Sequence, residues 1–375
     1  MIRKPTAVLA ATLAFASVAA FGSPAFADQI RDKQWHLRYL KVSEAHRFST
    51  GKGVTVAVID SGVSKHPDLD GSILKGTDFV DPGGSGQNDT DGHGTKMAGL
   101  IAGHGVGGGG ALGIAPDAKI MPIKVQLDLK GIARDFGPAV NYAVKHGAKV
   151  INMSVGAAGV TADLYKAVND AANADVVIVA AAGNSPEDSS ITSPARLTRV
   201  VAVGATNKSG NISKVSVAGP ELDIVAPGED IEGPGKNGSY GVGTGTSDST
   251  AIVSGAAALL RSKYPEMSAK EVVERLESTA VDKGAPGVDD EYGHGVLDIV
   301  AALEAGGPGA GAPSAGATSS ASDPSTNASD SVALPEAENS SGSGSGLLIA
   351  GIVLVVLVAA GALFFVLRAR SRSTS

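Results

Sequence analysis

Val54-Thr55-Val56-Ala57-Val58-Ile59 is a near-continuous run of apolar and β-branched residues that stops on Asp60-Ser61-Gly62. A strand with one wet face alternates polar and apolar side chains, so a run without that alternation reads as a strand buried on both faces. Working outward, similar runs recur at residues 119–125, 150–153, 176–181 and 200–203, and helix-like segments lie among them at 93–102, 135–146 and 161–173. Strands and helices alternating at this spacing predict an α/β domain with a parallel central sheet and helices on both faces. In such a sheet the functional residues gather at the carboxyl ends of the strands, which is where Asp60 stands. Residues 233–245 read as a glycine-rich turn, followed by a helix from Gly245, another over 268–280 and a short last one over 296–305. Ser268 with Glu271 three residues on is a capping-box pattern for the second of these.

The flanks carry different signals. Residues 1–27 have a basic start (Arg3, Lys4), an apolar centre over 7–21 and the small-x-small site Ala25-Phe26-Ala27, the pattern of a secretory signal peptide; an N-terminal anchor is the alternative. Residues 28–52, with Trp35, Leu37, Tyr39 and Leu40, are too few for a domain and read as an arm packed on the 53–305 domain. Residues 306–346 are Gly, Ala, Ser, Pro and Asn with almost no large apolar side chains, a composition that cannot bury enough surface to fold and reads as a disordered linker. Residues 347–367 form an uninterrupted apolar run, long enough at about 1.5 Å per residue to cross a hydrocarbon core of about 30 Å. A buried core helix is the alternative. Arg368, Arg370 and Arg372 follow, so the 368–375 tail is expected in the cytoplasm and the folded domain outside a cell membrane crossed once.

The bulk numbers narrow the chemistry. The 375 residues contain no cysteine, which excludes a disulfide framework, a thiolate metal site and a cysteine nucleophile. A net charge of -7 leaves no broad basic face for nucleic acid. Against that background one stretch stands out: Gly245-Thr246-Ser247-Asp248-Ser249-Thr250-Ala251 opens directly into a small-residue apolar helix. A serine there sits at a positive helix N-terminus among free backbone N–H groups, a place for a nucleophile, although Ser, Thr and Asp are also ordinary N-caps. A serine nucleophile needs a base, and the base an acid to orient it. His93, in Asp91-Gly92-His93-Gly94-Thr95, has glycines on both sides that expose its ring at a loop-to-helix junction. Taken singly, Asp60 reads as a turn residue and His93 as a surface residue. Asp, His and Ser in that chain order, each at a glycine-marked terminus, are far harder to obtain by accident.

On these three blocks the sequence resembles the subtilisin family of serine proteases over residues 50–305. The resemblance implies a three-layer fold with a parallel central sheet, Ser247 as nucleophile, His93 as general base and then acid, and Asp60 as the group that orients the imidazole. It also implies that Asn184, ending Ala180-Ala181-Ala182-Gly183-Asn184, donates to the oxyanion with the Ser247 N–H; capping the following turn is the alternative for Asn184. Ser154, Val155 and Gly156 would form one wall of the pocket for the residue before the scissile bond, and Ala181, Ala182 and Gly183 the other. Such small walls favour an uncharged side chain. Residues 128–134 would be an opposite edge strand that pairs with extended substrate.

The chain also departs from that pattern. Asp248 follows the serine where the family usually carries Met, and a carboxylate there is expected to raise the pKa of the base or to narrow the site. Ser249 and Ser254 are rival hydroxyls that read as helix residues, and no long propeptide precedes the domain. No cofactor is expected. Structural calcium is common in the family, and the acidic 78–91 loop is a candidate that reads better as a solvated loop.

Signal peptide, arm, catalytic domain, linker and a single C-terminal span are together similar to the mycosins, membrane-anchored subtilases of type VII secretion systems, although mycosins often have disulfides. That resemblance implies an extracytoplasmic endopeptidase acting on protein or peptide substrates and partnered with a type VII secretion membrane complex. An assembly subunit whose proteolysis is dispensable is the alternative, and a general cell-wall or nutritional protease is a third reading.

Overall fold

Val56 and Val58 point to one side of a sheet while Ala57 and Ile59 point to the other, and both sides are covered, which is why this strand shows no polar alternation. The computed structural model describes residues 27–126 and 135–307. The expected signal peptide except Ala27, most of the expected linker, the apolar run, the tail and the expected edge strand at 128–134 lie outside those residues. Among the described residues no helix is long and apolar enough to cross a membrane.

The strands of the main sheet are β1 (Thr55–Asp60), β2 (Thr77–Asp78), β3 (Lys119–Lys124), β4 (Val150–Met153), β5 (Val177–Ala181), β6 (Val201–Thr206) and β7 (Ile224–Pro227). They lie in the order β2-β3-β1-β4-β5-β6-β7, all parallel, with Val56 paired to Ile120 on one side and Val150 on the other. A separate antiparallel hairpin is made of β8 (Ile231–Pro234) and β9 (Tyr240–Gly243).

Three short helices come first: α1 (Ala27–Lys33), α2 (Trp35–Tyr39) and α3 (Val42–Ala45). The others are α4 (His93–Ala102), α5 (Phe136–Lys145), α6 (Ala162–Asn173), α7 (Thr246–Lys263), α8 (Ala269–Ser278) and α9 (Ile299–Glu304). One apolar cluster lies between the sheet and α4, α7, α8 and α9, and a second lies between the sheet and α5 and α6. The three layers expected of the chain are therefore present.

The centre of the first layer is α7, buried from Thr246 to Arg261 except at Ser247. Its small residues let the backbone come close to its neighbours; a Cβ on Gly255 would stand 2.6 Å from Ile114 Cβ. The 28–52 arm packs on the domain as expected, and more thoroughly than its length implied: Trp35, Leu37, Leu40, Val42 and Ala45 belong to the first cluster. Trp35 Nε1 donates to the Glu229 carbonyl at 3.1 Å, and Gln34 exchanges hydrogen bonds with Leu112 and reaches the Glu232 carbonyl.

Element ends moved by a residue or a few: β6 runs on to Thr206, and α9 starts three residues later than expected, capped by Asp298. The capping box of α8 is formed, with Ser268 N–H donating to Glu271 Oε2 at 2.8 Å and Glu271 N–H to Ser268 Oγ at 3.3 Å. The 233–245 segment is not a turn but the end of β8, its loop and β9. Glycine is depleted from strands in general, so its abundance there hid the hairpin.

Candidate active site

Asp60 closes β1 with its carboxylate fully buried. Oδ1 accepts the Ser61 N–H at 2.7 Å, and His93 Nδ1 lies 2.8 Å from Oδ1 and 3.0 Å from Oδ2. A carboxylate so placed takes the Nδ1 proton and leaves Nε2 as the basic nitrogen. The ring of His93 is the first of α4, about 31% exposed. Gly94 follows because any side chain there would run into the Gly62 carbonyl and stand 3.1 Å from the Asp60 carboxylate. Burial disfavours a charge on His93, but the Asp60 carboxylate outweighs it and, with Asp248 adding and Lys96 opposing, lifts the pKa to about 9.

The loop before α4 is built on Asp89, which sequence reasoning did not single out. Its Oδ1 accepts the N–H groups of Asp91 (3.0 Å) and Gly92 (2.8 Å) and the Ser61 hydroxyl (2.9 Å); its Oδ2 accepts the Thr95 N–H (2.9 Å) and hydroxyl (2.5 Å). Ser61 Oγ in turn accepts the Gly94 N–H at 2.9 Å, so Asp60 and His93 are joined a second time through their neighbours. The acidic 78–91 loop is therefore not simply solvated: Asp78 and Asp89 are buried, and Asp78 accepts the N–H groups of Val80 and Asp81. Among the described residues no three metal-ligating side chains converge. An aspartate four residues before a histidine, with two more turn residues between, was the legible signal for Asp89.

Ser247 is the second residue of α7. Its hydroxyl donates to the Ser154 carbonyl at 3.0 Å, and Ser154 Oγ returns a bond to the Ser247 carbonyl at 2.9 Å, so the serine is not hydrogen-bonded to His93 here. Both line one open cavity of about 530 Å³, together with Asn184, Lys96, Asp248 and the β8–β9 hairpin. The rival hydroxyls are spent elsewhere: Ser249 donates to the Ala226 carbonyl and Ser254 to Asn152 Oδ1, and both are fully buried.

Asn184 follows β5, and its Oδ1 accepts the Thr246 N–H at 3.0 Å and the Thr246 hydroxyl at 3.3 Å. That orientation commits the amide oxygen to the helix start and leaves Nδ2, a donor, for the cleft. The turn after it is closed instead by Asp188, whose N–H meets the Asn184 carbonyl and whose carboxylate meets the Asn184 N–H.

Ser154, Val155 and Gly156 leave β4, and Ala181, Ala182 and Gly183 end or follow the adjacent β5, so the two expected walls run side by side. Thr192, also missed from sequence, packs between them. A Cβ on Gly156 would stand 2.6 Å from Thr192 Oγ1, and one on Gly183 would stand 3.2 Å from Thr192 Cγ2. Asp248 does not stand free beside the serine; its Oδ1 pairs with Lys96 Nζ at 2.7 Å.

The profile of the subtilase family matches residues 51–295. The chain belongs to the subtilase family. It is a subtilisin-like serine endopeptidase. Subtilisin BL of Lederbergia lenta is 39% identical over 270 residues, covering 72% of this chain and 97% of that protein. Mycosin-1 of Mycolicibacterium smegmatis is 35% identical over 330 residues, covering 72% and 73% of the two chains. Among solved structures, MycP1 from Mycobacterium smegmatis superposes with a TM-score of 0.67 at 31% identity, covering 78% of this chain and 90% of that one. MycP3 protease from the type VII (ESX-3) secretion system does so with 0.61 at 34%, covering 72% and 87%. This subtilase is thus similar both to a subtilisin and to mycosins.

Proposed function

We propose that this subtilase cleaves extracytoplasmic proteins through an acyl-enzyme on Ser247, with His93 as base and then acid and Asp60 holding the imidazole. The observation that carries the reading is the contact of buried Asp60 with a partly exposed His93 that opens on the same cleft as Ser247 and Asn184. Rotation about its Cα–Cβ bond takes the Ser247 hydroxyl from the Ser154 carbonyl toward His93 Nε2, as substrate entry requires. His93 takes the proton as Oγ attacks the carbonyl, and the Asn184 Nδ2 and Ser247 N–H receive the oxyanion. The imidazolium then protonates the leaving amine, and water repeats the sequence to release the acyl group. The side chain before the scissile bond enters the slot between the 154–156 and 181–183 segments. Its small uncharged lining and Thr192 favour an uncharged residue there.

Residues 347–367 anchor the chain in the membrane with the catalytic domain outside, and its partner is a type VII secretion complex. The apolar run with its arginine tail supports the first statement. The second is supported by the similarity to a protein described as an essential component of the type VII (ESX-1) secretion system, 35% identical with a TM-score of 0.66. A second reading, an assembly subunit with dispensable proteolysis, is favoured by the Ser247 hydroxyl being held by Ser154 rather than His93. Complementing a deletion strain with Ser247→Ala separates the two. Loss of secretion with the anchored protein still present supports a proteolytic role, and full secretion supports assembly.

A further inference from the structure

We propose that Lys96 is a positioning counter-charge for Asp248, and that this pair keeps the imidazole of His93 available as a base in spite of a carboxylate set one residue after the nucleophile. The inference rests on the roles given above to His93 and Ser247 and deepens them.

Lys96 Nζ lies 2.7 Å from Asp248 Oδ1 and joins α4 to α7 in the wall of the cleft that carries His93 and Ser247. Both side chains are nearly enclosed, at 13% and 4% exposure. At that depth an unpartnered charge is costly, and an opposite charge in direct contact offsets much of the cost. The hairpin is shaped to admit this pair. A Cβ on Gly233 of β8 would stand 3.2 Å from Lys96 Cγ, while one on Gly243 of β9 would collide with Lys96 Nζ and stand 3.1 Å from Asp248 Oδ2. The lysine stem therefore runs beside two glycines, and a side chain at position 243 would have to push Lys96 Nζ away from its place beside Asp248. The same cover limits solvent screening, so charges here reach His93 with more force than surface charges do.

Besides Asp60 of β1, the charged groups that line the cleft with His93 are Asp91 from the loop before α4, Lys96 from α4, Lys236 from the hairpin loop and Asp248 from α7, and Asp89 stands in the same loop as Asp91. Asp60 is the direct partner. Asp89 is committed to its five donors, Asp91 Oδ1 accepts the backbone N–H of His93 at 3.1 Å, and Lys236 Nζ is tied to the Thr90 carbonyl at 2.8 Å. That leaves Lys96 and Asp248, which act on the imidazole in opposite senses: the carboxylate favours the imidazolium and the ammonium opposes it. Paired, the two oppose each other at the imidazole, with the carboxylate the stronger of the two. Without Lys96, Asp248 stabilises the imidazolium unopposed, and a protonated His93 cannot take the serine proton. The two unusual residues thus explain each other.

The test is the pH profile of kcat/KM for the full-length chain on a small chromogenic peptide, whose acid limb reports the free base. Lys96→Met is expected to move that limb up by about one pH unit, and Asp248→Asn to move it down. Lys96→Arg should leave it in place, and the double variant Lys96→Met/Asp248→Asn, which buries no lone charge and so is the safest to fold, should bring it back toward wild type. Gly243→Ala, which displaces Lys96 Nζ, should behave as Lys96→Met does. A limb that stays put in both single variants, or that shifts as far in the double variant as in Lys96→Met, overturns the proposal even if rates fall at every pH. A wild-type chain with no peptidase activity would instead overturn the catalytic reading and take this inference with it.

Discussion

The imidazole of His93 carries a pKa of about 9 because the Asp60 carboxylate, in contact at 2.8 Å, outweighs the burial that would lower it. The base works only when neutral, so kcat/KM should rise with pH and reach half its plateau near pH 9, a profile that a rate-versus-pH series on a peptide substrate reads directly. A plateau already reached by pH 7 would mean that the Asp60 field is weaker than the contact implies. For stability the direction is opposite: a raised histidine pKa contributes fully below the unfolded value of about 6.5 and is lost as pH climbs through about 9. Asn184 gives a second check at this scale. Asn184→Ala removes a donor to the oxyanion together with the two hydrogen bonds that its amide oxygen accepts from Thr246, none of which is a contact with ground-state substrate. It should lower kcat by roughly 100- to 1,000-fold with KM little changed, a magnitude that comes from the equivalent experiment on subtilisin itself. Asp60, His93 and Ser247 were legible in the sequence because each stands next to glycines that its local geometry demands. Asp89, Thr192 and the Lys96–Asp248 pair were not, because each acts through partners contributed by other segments of the chain.

The elements that surprised are those at the edges. Helices α4, α6 and α8 stand close to their expected places because their apolar spacing is clear, and two of them are also capped: Thr161 accepts the Leu164 N–H for α6 and Ser268 the Glu271 N–H for α8. The β8–β9 hairpin was hidden because its glycines, which make room for Lys96, remove the side-chain pattern by which strands are recognised. The arm was read as a packed appendage, but its helices α2 and α3 share the first core, and none of its residues lines the catalytic cleft. Within the arm, His36 on α2 is fully buried with neither ring nitrogen hydrogen-bonded. Desolvation, with the Lys96 ammonium adding, depresses its pKa to about 3. The arm can therefore dock only with His36 neutral. Its packing is at full strength above the unfolded pKa of about 6.5 and weakens as pH falls below it, by about 2 kcal/mol at pH 5. His36→Phe should flatten that dependence, raising the melting temperature at pH 5 relative to wild type but not at pH 8. Equal shifts at both pH values would mean that packing, not protonation, dominates at this position.

On the scale of the whole molecule, the α/β class and the seven parallel strands follow from a sequence in which buried strands and helices alternate, and the site lies where the carboxyl ends of β1, β4 and β5 meet the starts of α4 and α7. Such a site can be located from sequence because the topology of a parallel sheet gathers distant motifs at one edge. What the topology does not encode is the state of the nucleophile. The Ser247 hydroxyl rests on the Ser154 carbonyl, and only a rotation of that one side chain separates an idle cleft from an assembled triad. The described residues of the arm leave the cleft open, so substrate-like molecules are expected to reach Ser247. The direct test is labelling of the full-length chain with a fluorophosphonate probe at pH 9, beside Ser247→Ala and His93→Ala. Rapid labelling of the wild type is expected, with the adduct mapped by mass spectrometry to Ser247, and none of either variant. Absence of label on the wild type, or label on Ser249 or Ser254 in its place, would contradict it.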